Sequence, residues 1–175
     1  MGAIASAHHL CSGRERKGVK YDKDGSIVRC VFCDIVADKD YEPWREKGSD
    51  GVVSWFRSKA GDAEEHWLVV PCRHVQDVRD PVLDSSLLEH MVAVGKERGD
   101  ILCFHRPPFN SIDHLHLHAF REPFVNFAKD LKHRPSPSFW KMWTLAPEDV
   151  GKGLLQDGSD GGSLSSSDSG LGKFP

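Results

Sequence analysis

Residues 114–118 read His114-Leu115-His116-Leu117-His118, and this strict alternation decides how the rest of the chain is read. On a strand the period of two sends all three imidazoles to one face and both leucines to the other. The leucines belong in a core. A buried imidazole row would need partners for six ring nitrogens, so a purely structural row is poorly served. Two chemistries compete for it. Alternate histidines with a third ligand from elsewhere hold a zinc ion that keeps an open position for water. Alternatively, one imidazole attacks phosphorus while its neighbours bind the phosphate oxygens and serve the leaving group. The residues leading in favour the second. Ser111 offers a hydroxyl, and the turn Pro108-Phe109-Asn110-Ser111 can aim backbone N–H groups at the same oxygens. Asp113, the nearest acid, falls on the strand face opposite His114 and is a poor third ligand.

Outward from this row, Val52–Phe56 and His66–Val70 are β-branched and aromatic runs bounded by Gly51, Gly61 and Pro71, and read as strands. Ser86-Leu87-Leu88-Glu89 has the form of a capping box, opening a helix whose apolar stripe carries Leu87, Leu88, Met91, Val92 and Val94, with Gly99 as its stop. Ile101–Phe104 resumes a strand, Pro107 and Pro108 force a loop, and His114–Phe120 is the last strong strand. Trp140–Trp143 reads as a short closing element. Strands around one helix, without βαβ alternation, predict an α+β fold: an antiparallel sheet of about five strands with a central helix.

The 175 residues are 39% hydrophobic and 28% charged, which suits one domain, expected over residues 26–150. No apolar run approaches the roughly 18 residues of a membrane span. Lys+Arg 23 against Asp+Glu 26 argues against a bulk electrostatic grip on nucleic acid. Five cysteines without a secretion signal fit a reducing compartment, so the cytoplasm or nucleus is expected. Residues 1–25 lack an apolar period and read as a flexible basic arm. Met1–Ser6 fits the loose N-myristoylation pattern at Gly2, although an ordinary disordered N-terminus is the plainer reading; membrane contact is expected only if Gly2 is acylated. Residues 151–175, dominated by Gly, Ser and Asp, are expected to form a disordered tail.

The stretch Phe104–His118, together with Cys30-Val31-Phe32-Cys33, His66–Pro71 followed by His74, and the helix Leu87–Lys96, resembles the histidine triad family over roughly residues 30–145. The Phe-His-x-Pro-Pro-Phe-x-Ser spacing is most similar to the third Hint-type nucleotide-binding branch; His66-Trp67-Leu68-Val69 and the Lys132-His133 bend are also similar to aprataxin. The resemblance implies a purine-nucleotide hydrolase or transferase of the adenosine 5′-phosphoramidate type, which cleaves AMP-X through an adenylyl-histidine. It makes His116 the nucleophile, with a ring tautomer fixed by a backbone carbonyl. His118 stands beside the scissile bond, His114 supports the phosphate site, Ser111 lies near the leaving group, and His74 sits behind the nucleophilic strand. Nucleotide contacts are implied for Phe56, Ser58, Lys59, His105, Asn110 and Leu115.

Two positions depart from the family pattern. Ser58 stands where a ribose-binding aspartate is usual, which loosens sugar recognition, and His105 lies where small members carry a phosphate-binding asparagine. No cofactor is required for catalysis by this resemblance, while Cys30, Cys33, His74 and His114 form a candidate structural zinc set, with buried core cysteines as the alternative. A homodimer is implied. An aprataxin-like DNA 5′-adenylate hydrolase and a non-catalytic nucleotide-binding scaffold are the competing functions.

Overall fold

The computed structural model describes residues 14–39, 46–135 and 143–157, with side chains up to residue 153. Strands β1 (Arg14–Arg16), β2 (Val19–Tyr21) and β3 (Ile27–Cys30) form a small antiparallel sheet that runs into helix α1 (Val31–Val36). The main sheet comprises β4 (Lys47–Ser49), β5 (Val53–Arg57), β6 (Ala63–Pro71), β7 (Ile101–His105), β8 (Leu117–Phe124) and β9 (Thr144–Leu145). Its order is β4-β5-β6-β8-β7-β9, with every pairing antiparallel. Helices α2 (Ser85–Lys96), α3 (Phe127–His133) and α4 (Pro147–Asp157) complete it.

The period of two explains how this sheet is covered. Val53, Val69, Phe104 and Leu117 face α2, where they meet Leu87, Leu88, Met91 and Val94. Phe56, Leu68 and Val70 face the other way and pack on Val19, Phe32 and Ile35 from the first sheet and α1. Because both faces are covered, β6 and β8 are largely apolar runs rather than clean alternations of apolar and polar. Strand β8 lies between β6 and β7, with Leu117 opposite Val69 and Phe104, so His118 is held at the sheet's interior and His114 and His116 lead into it. Gly99 is required just after α2: a Cβ there would stand 2.6 Å from the backbone N and O of Phe120.

The α+β class and the central helix agree with the sequence reading, and several details differ. The main sheet has six strands rather than about five, because β4 and β9 are two short edge strands. The helix cap is Asp84, whose carboxylate accepts from Leu87 N at 2.7 Å, two residues earlier than the box at Ser86 suggested. Regular pairing in β8 begins at Leu117. Residues 114–116 approach it as bends and irregular chain, with Leu115 N donating to Val75 O at 2.6 Å.

The flexible arm expected over residues 1–25 does not hold from Arg14 onward. The Arg16 guanidinium meets Asp113 at 2.5 Å, Lys17 Nζ donates to Asn110 Oδ1 at 2.8 Å, and Asp113 N donates to Lys17 O at 3.0 Å. These partners lie about a hundred residues away, so no local pattern announces them. Within the expected tail, residues 151–157 continue α4, and Val150 is buried against the α2 core. The myristoylation pattern, residues 158–175 and Trp140–Met142 lie outside the described residues; the closing strand is Thr144–Leu145, paired with β7.

Candidate active site

The histidine row divides into two clusters. His114 turns toward α1, where its Nδ1 lies 3.4 Å from Cys30 Sγ and 3.5 Å from Cys33 Sγ. His74 Nδ1 is 3.5 Å from Cys33 Sγ, and the two imidazole rings are 4.7 Å apart. His114 Nε2 faces Pro71 O at 3.1 Å, and because a carbonyl can only accept, that nitrogen carries the proton and Nδ1 keeps its lone pair. The Cys33 thiol hydrogen bond holds Cys30 well below the ordinary thiol range, favouring a thiolate, while Cys33 beside that thiolate is pushed up.

The ligand atoms of Cys30, Cys33, His74 and His114 all lie within 4.8 Å of one another. A tetrahedral zinc with Zn–S of about 2.3 Å and Zn–N of about 2.05 Å puts sulfur and nitrogen roughly 3.5 Å apart, the spacing found here. The donor set therefore fits zinc. The sequence reading brought these four residues together from three segments, and the fold places them together.

His116 and His118 project to the other side of the site. His116 Nδ1 donates to His114 O at 2.7 Å, leaving Nε2 buried without a hydrogen-bond partner. His118 Nδ1 pairs with His66 Nε2 at 2.8 Å, and its own Nε2 is likewise buried and unpartnered. His105, at the end of β7, closes over them: its ring lies 4.4 Å from that of His118 and 6.3 Å from that of His116. Burial is the leading cause that pushes His116 down to about 4, His105 to about 3 and His118 well below its ordinary value. All three rings are neutral at neutral pH.

Behind this cluster lies a set of residues that the motif reading did not single out as a site. His133 Nε2 donates to Asp62 Oδ2 at 3.0 Å, Lys129 Nζ meets Asp62 Oδ1 at 2.7 Å, and His66 Nδ1 is 4.0 Å from the same carboxylate. Burial pushes the Asp62 carboxyl up, but the Lys129 hydrogen bond and the charges of His133 and Lys129 outweigh it and leave it below its ordinary range. Burial takes His66 to about 3 and His133 to about 4. Ten histidines in the chain are a compositional sign of such a layer, and His66 and His133 stand in stretches similar to aprataxin, but their pairing with Asp62 emerges only from the fold.

The remaining candidates are placed unevenly. Ser111 is exposed in the loop before the row. Asn110 is buried with its amide committed, donating to Ile112 O and Asp113 Oδ1 at 3.0 Å each, so it shapes that loop. Phe56 is fully buried, edge-on to Phe32 with centroids 5.4 Å apart, and Leu115 lies in the α2 core. Ser58 is half-buried, and its hydroxyl accepts from Ala60 N at 3.2 Å; Lys59 is exposed. Of the six implied nucleotide contacts, His105 is the one that joins the catalytic cluster.

Residues 29–133 match the family model described as "scavenger mRNA decapping enzyme C-term binding". The chain belongs to the histidine triad family. It is 37% identical over 116 residues to the bifunctional adenosine 5′-phosphosulfate phosphorylase/adenylylsulfatase HINT4 of Arabidopsis thaliana, covering 60% of this chain and 78% of that protein. It is 35% identical over 101 residues to the adenosine 5′-monophosphoramidase HINT3 of Mus musculus, covering 51% of this chain and 61% of that one. A HIT family protein from Bacillus anthracis shares the fold, with a TM-score of 0.52 at 18% identity over 79% of this histidine triad chain and 100% of the other.

Proposed function

We propose that this histidine triad protein cleaves AMP-X compounds, of the adenosine 5′-phosphoramidate type, through a covalent adenylyl-His116 intermediate. The observation that carries the reading is the His116 tautomer: Nδ1–H bound to the His114 carbonyl leaves the Nε2 lone pair free, on a ring that burial keeps neutral. The activities of the Arabidopsis and mouse relatives support the substrate class.

In the first step Nε2 of His116 bonds to the α-phosphorus as the bond to X breaks. His118, beside it, gives the departing group a proton. The negative phosphate that the substrate brings offsets the burial cost of charging His118, so the ring is protonated in the complex. In the second step water attacks phosphorus, its proton returns to His118, the P–N bond to His116 breaks, and AMP leaves. Atoms and charge balance over the two steps. Cys30, Cys33, His74 and His114 would hold a zinc ion that ties α1 to the catalytic strand, a structural role with no part in bond breaking. The same reading includes a homodimer in the cytoplasm or nucleus.

The test is turnover of a fluorogenic AMP-amine beside adenylated nicked DNA and a diadenosine polyphosphate, with rapid acid quench to trap AMP on His116. A trapped adduct and preference for the amine are expected. Preference for the nicked DNA moves the assignment to the deadenylase reading, and absence of any adduct during turnover overturns the covalent mechanism. Replacing His118 by Ala should slow poor leaving groups more than good ones, because protonation matters most for a basic leaving group.

A further inference from the structure

We infer that His105, His116 and His118 form a second, all-nitrogen site for a divalent transition metal ion such as zinc, and that an ion bound there shuts the enzyme off. One ligand nitrogen from each ring lies within 4.8 Å of the other two. The nitrogens that could point inward are orphaned: Nδ1 and Nε2 of His105, Nε2 of His116 and Nε2 of His118 are all buried with no hydrogen-bond partner. Buried polar atoms are normally satisfied, so unpaired nitrogens on three rings, one from each within 4.8 Å of the others, ask for a ligand.

On two of the three rings the outer nitrogen is already held as a metal-bound histidine needs. His116 Nδ1 is held by the His114 carbonyl, and His118 Nδ1 by His66 Nε2, with the Asp62 carboxylate 4.0 Å beyond His66 Nδ1. Such outer hydrogen bonds fix the tautomer and aim the other nitrogen at the ion. A tetrahedral zinc spaces its nitrogen ligands roughly 3.3 Å apart, so the rings draw in modestly around it. Three imidazoles without a thiolate or carboxylate suit zinc, copper or nickel, with the fourth position left to water or a phosphate oxygen.

The consequence follows from a single lone pair. His116 Nε2 cannot bond to a metal and attack phosphorus at once, so the ion and the reaction exclude each other. This blocking effect rests on the adenylyl-histidine reading; the metal site itself does not. The cysteine-bearing cluster on the far side of His114 is a different site, and its thiolates make the two separable by spectroscopy.

The experiment adds Co²⁺ to the full-length protein as purified, with bound metal counted by mass spectrometry. A Co²⁺ equivalent is expected whose visible d–d bands appear without the near-ultraviolet sulfur-to-cobalt absorption. His105→Asn should weaken that equivalent at least about tenfold while leaving the thiolate signature intact. Histidine side-chain nitrogen NMR on the unmodified chain asks the same question without substitution: the Nε2 signals of His116 and His118 should shift with that equivalent. Absence of a sulfur-free equivalent, undiminished affinity in His105→Asn, or unmoved Nε2 signals overturns the site. Added Zn²⁺ should then suppress turnover of the AMP-amine in step with occupancy of the site. Unchanged or increased turnover at full occupancy overturns the blocking effect, whereas a protein that binds the ion here but never turns over refutes the functional reading instead.

Discussion

His114 and His116 are two residues apart, yet they serve environments of opposite character. His114 looks into a cluster with two sulfurs, packed under α1 and the first sheet, where every ligand atom has a neighbour at 3.4–3.5 Å. His116 and His118 look into a cluster of imidazoles alone, where the inward nitrogens have none. The first is a closed set suited to holding structure. The second keeps lone pairs in reserve, the condition a nucleophile needs. A period of two therefore reads less simply than one face for all three rings: departure from regular pairing at residues 114–116 lets the first ring join a different wall of the site.

The largest effect should come from the catalytic side. His116→Ala is expected to abolish turnover while leaving AMP affinity within about tenfold, because the imidazole makes its decisive bond only along the reaction path. Steady-state kinetics beside AMP titration checks this, and a matched loss of binding would make His116 a binding residue. On the other side, replacing Cys30 and Cys33 together by Ser, or stripping metal with a chelator, should lower thermal stability by several degrees or more. It should leave the per-molecule rate of the still-folded fraction near normal. A chelated protein that stays fully stable but inactive would erase the division between the clusters.

The third expectation concerns acid. His66 and His105 sit near 3 and His116 and His133 near 4 in the folded protein, against about 6.5 when unfolded. Between those values the unfolded chain binds more protons, so stability rises with pH; it is fully present above about 6.5 and drains away as pH falls toward 3 to 4. Each histidine kept neutral at pH 5 should cost about 2 kcal/mol relative to pH 7.5, read from urea midpoints. His133→Gln should reduce that pH slope. An unchanged slope would mean that the layer behind the site is open to water.

What the sequence revealed follows the range of the interactions. The alternating row, the Cys-x-x-Cys and His74 carry their chemistry in residue type and short spacing, so the two clusters' leading members were legible. The Asp62, His66 and His133 layer was not, because Asp62 and His133 meet across 71 residues through β6, β8 and α3. The N-terminal hairpin was misread for the same reason. Arg14, Arg16, Lys17 and Lys20 look like a solvated basic run until Asp113 pairs with Arg16 and Asn110 with Lys17. Phe56 is a different case: family position implied a nucleotide contact, and its buried ring packs on Phe32, whose own ring lies 5.4 Å from that of His116.

The smallest expected effect tests whether the comparison has only two sides. Ser111 lies on the exposed stretch of the loop that Arg16, Lys17 and Asn110 hold from below, and it belongs to neither cluster. If its hydroxyl merely adds one neutral hydrogen bond to a phosphate oxygen or the leaving group, Ser111→Ala should cost about 0.5–1.5 kcal/mol, roughly two- to twelvefold in kcat/KM. The loss should be similar for good and poor leaving groups, because an exposed hydroxyl that belongs to neither cluster is not the group that protonates the departing atom. Measuring kcat/KM across a series of AMP-amines separates the cases. A drop of several hundredfold that grows with leaving-group basicity would mean that the loop carries Ser111 onto the departing atom, and that the proton donor is shared between His118 and a residue outside the histidine clusters.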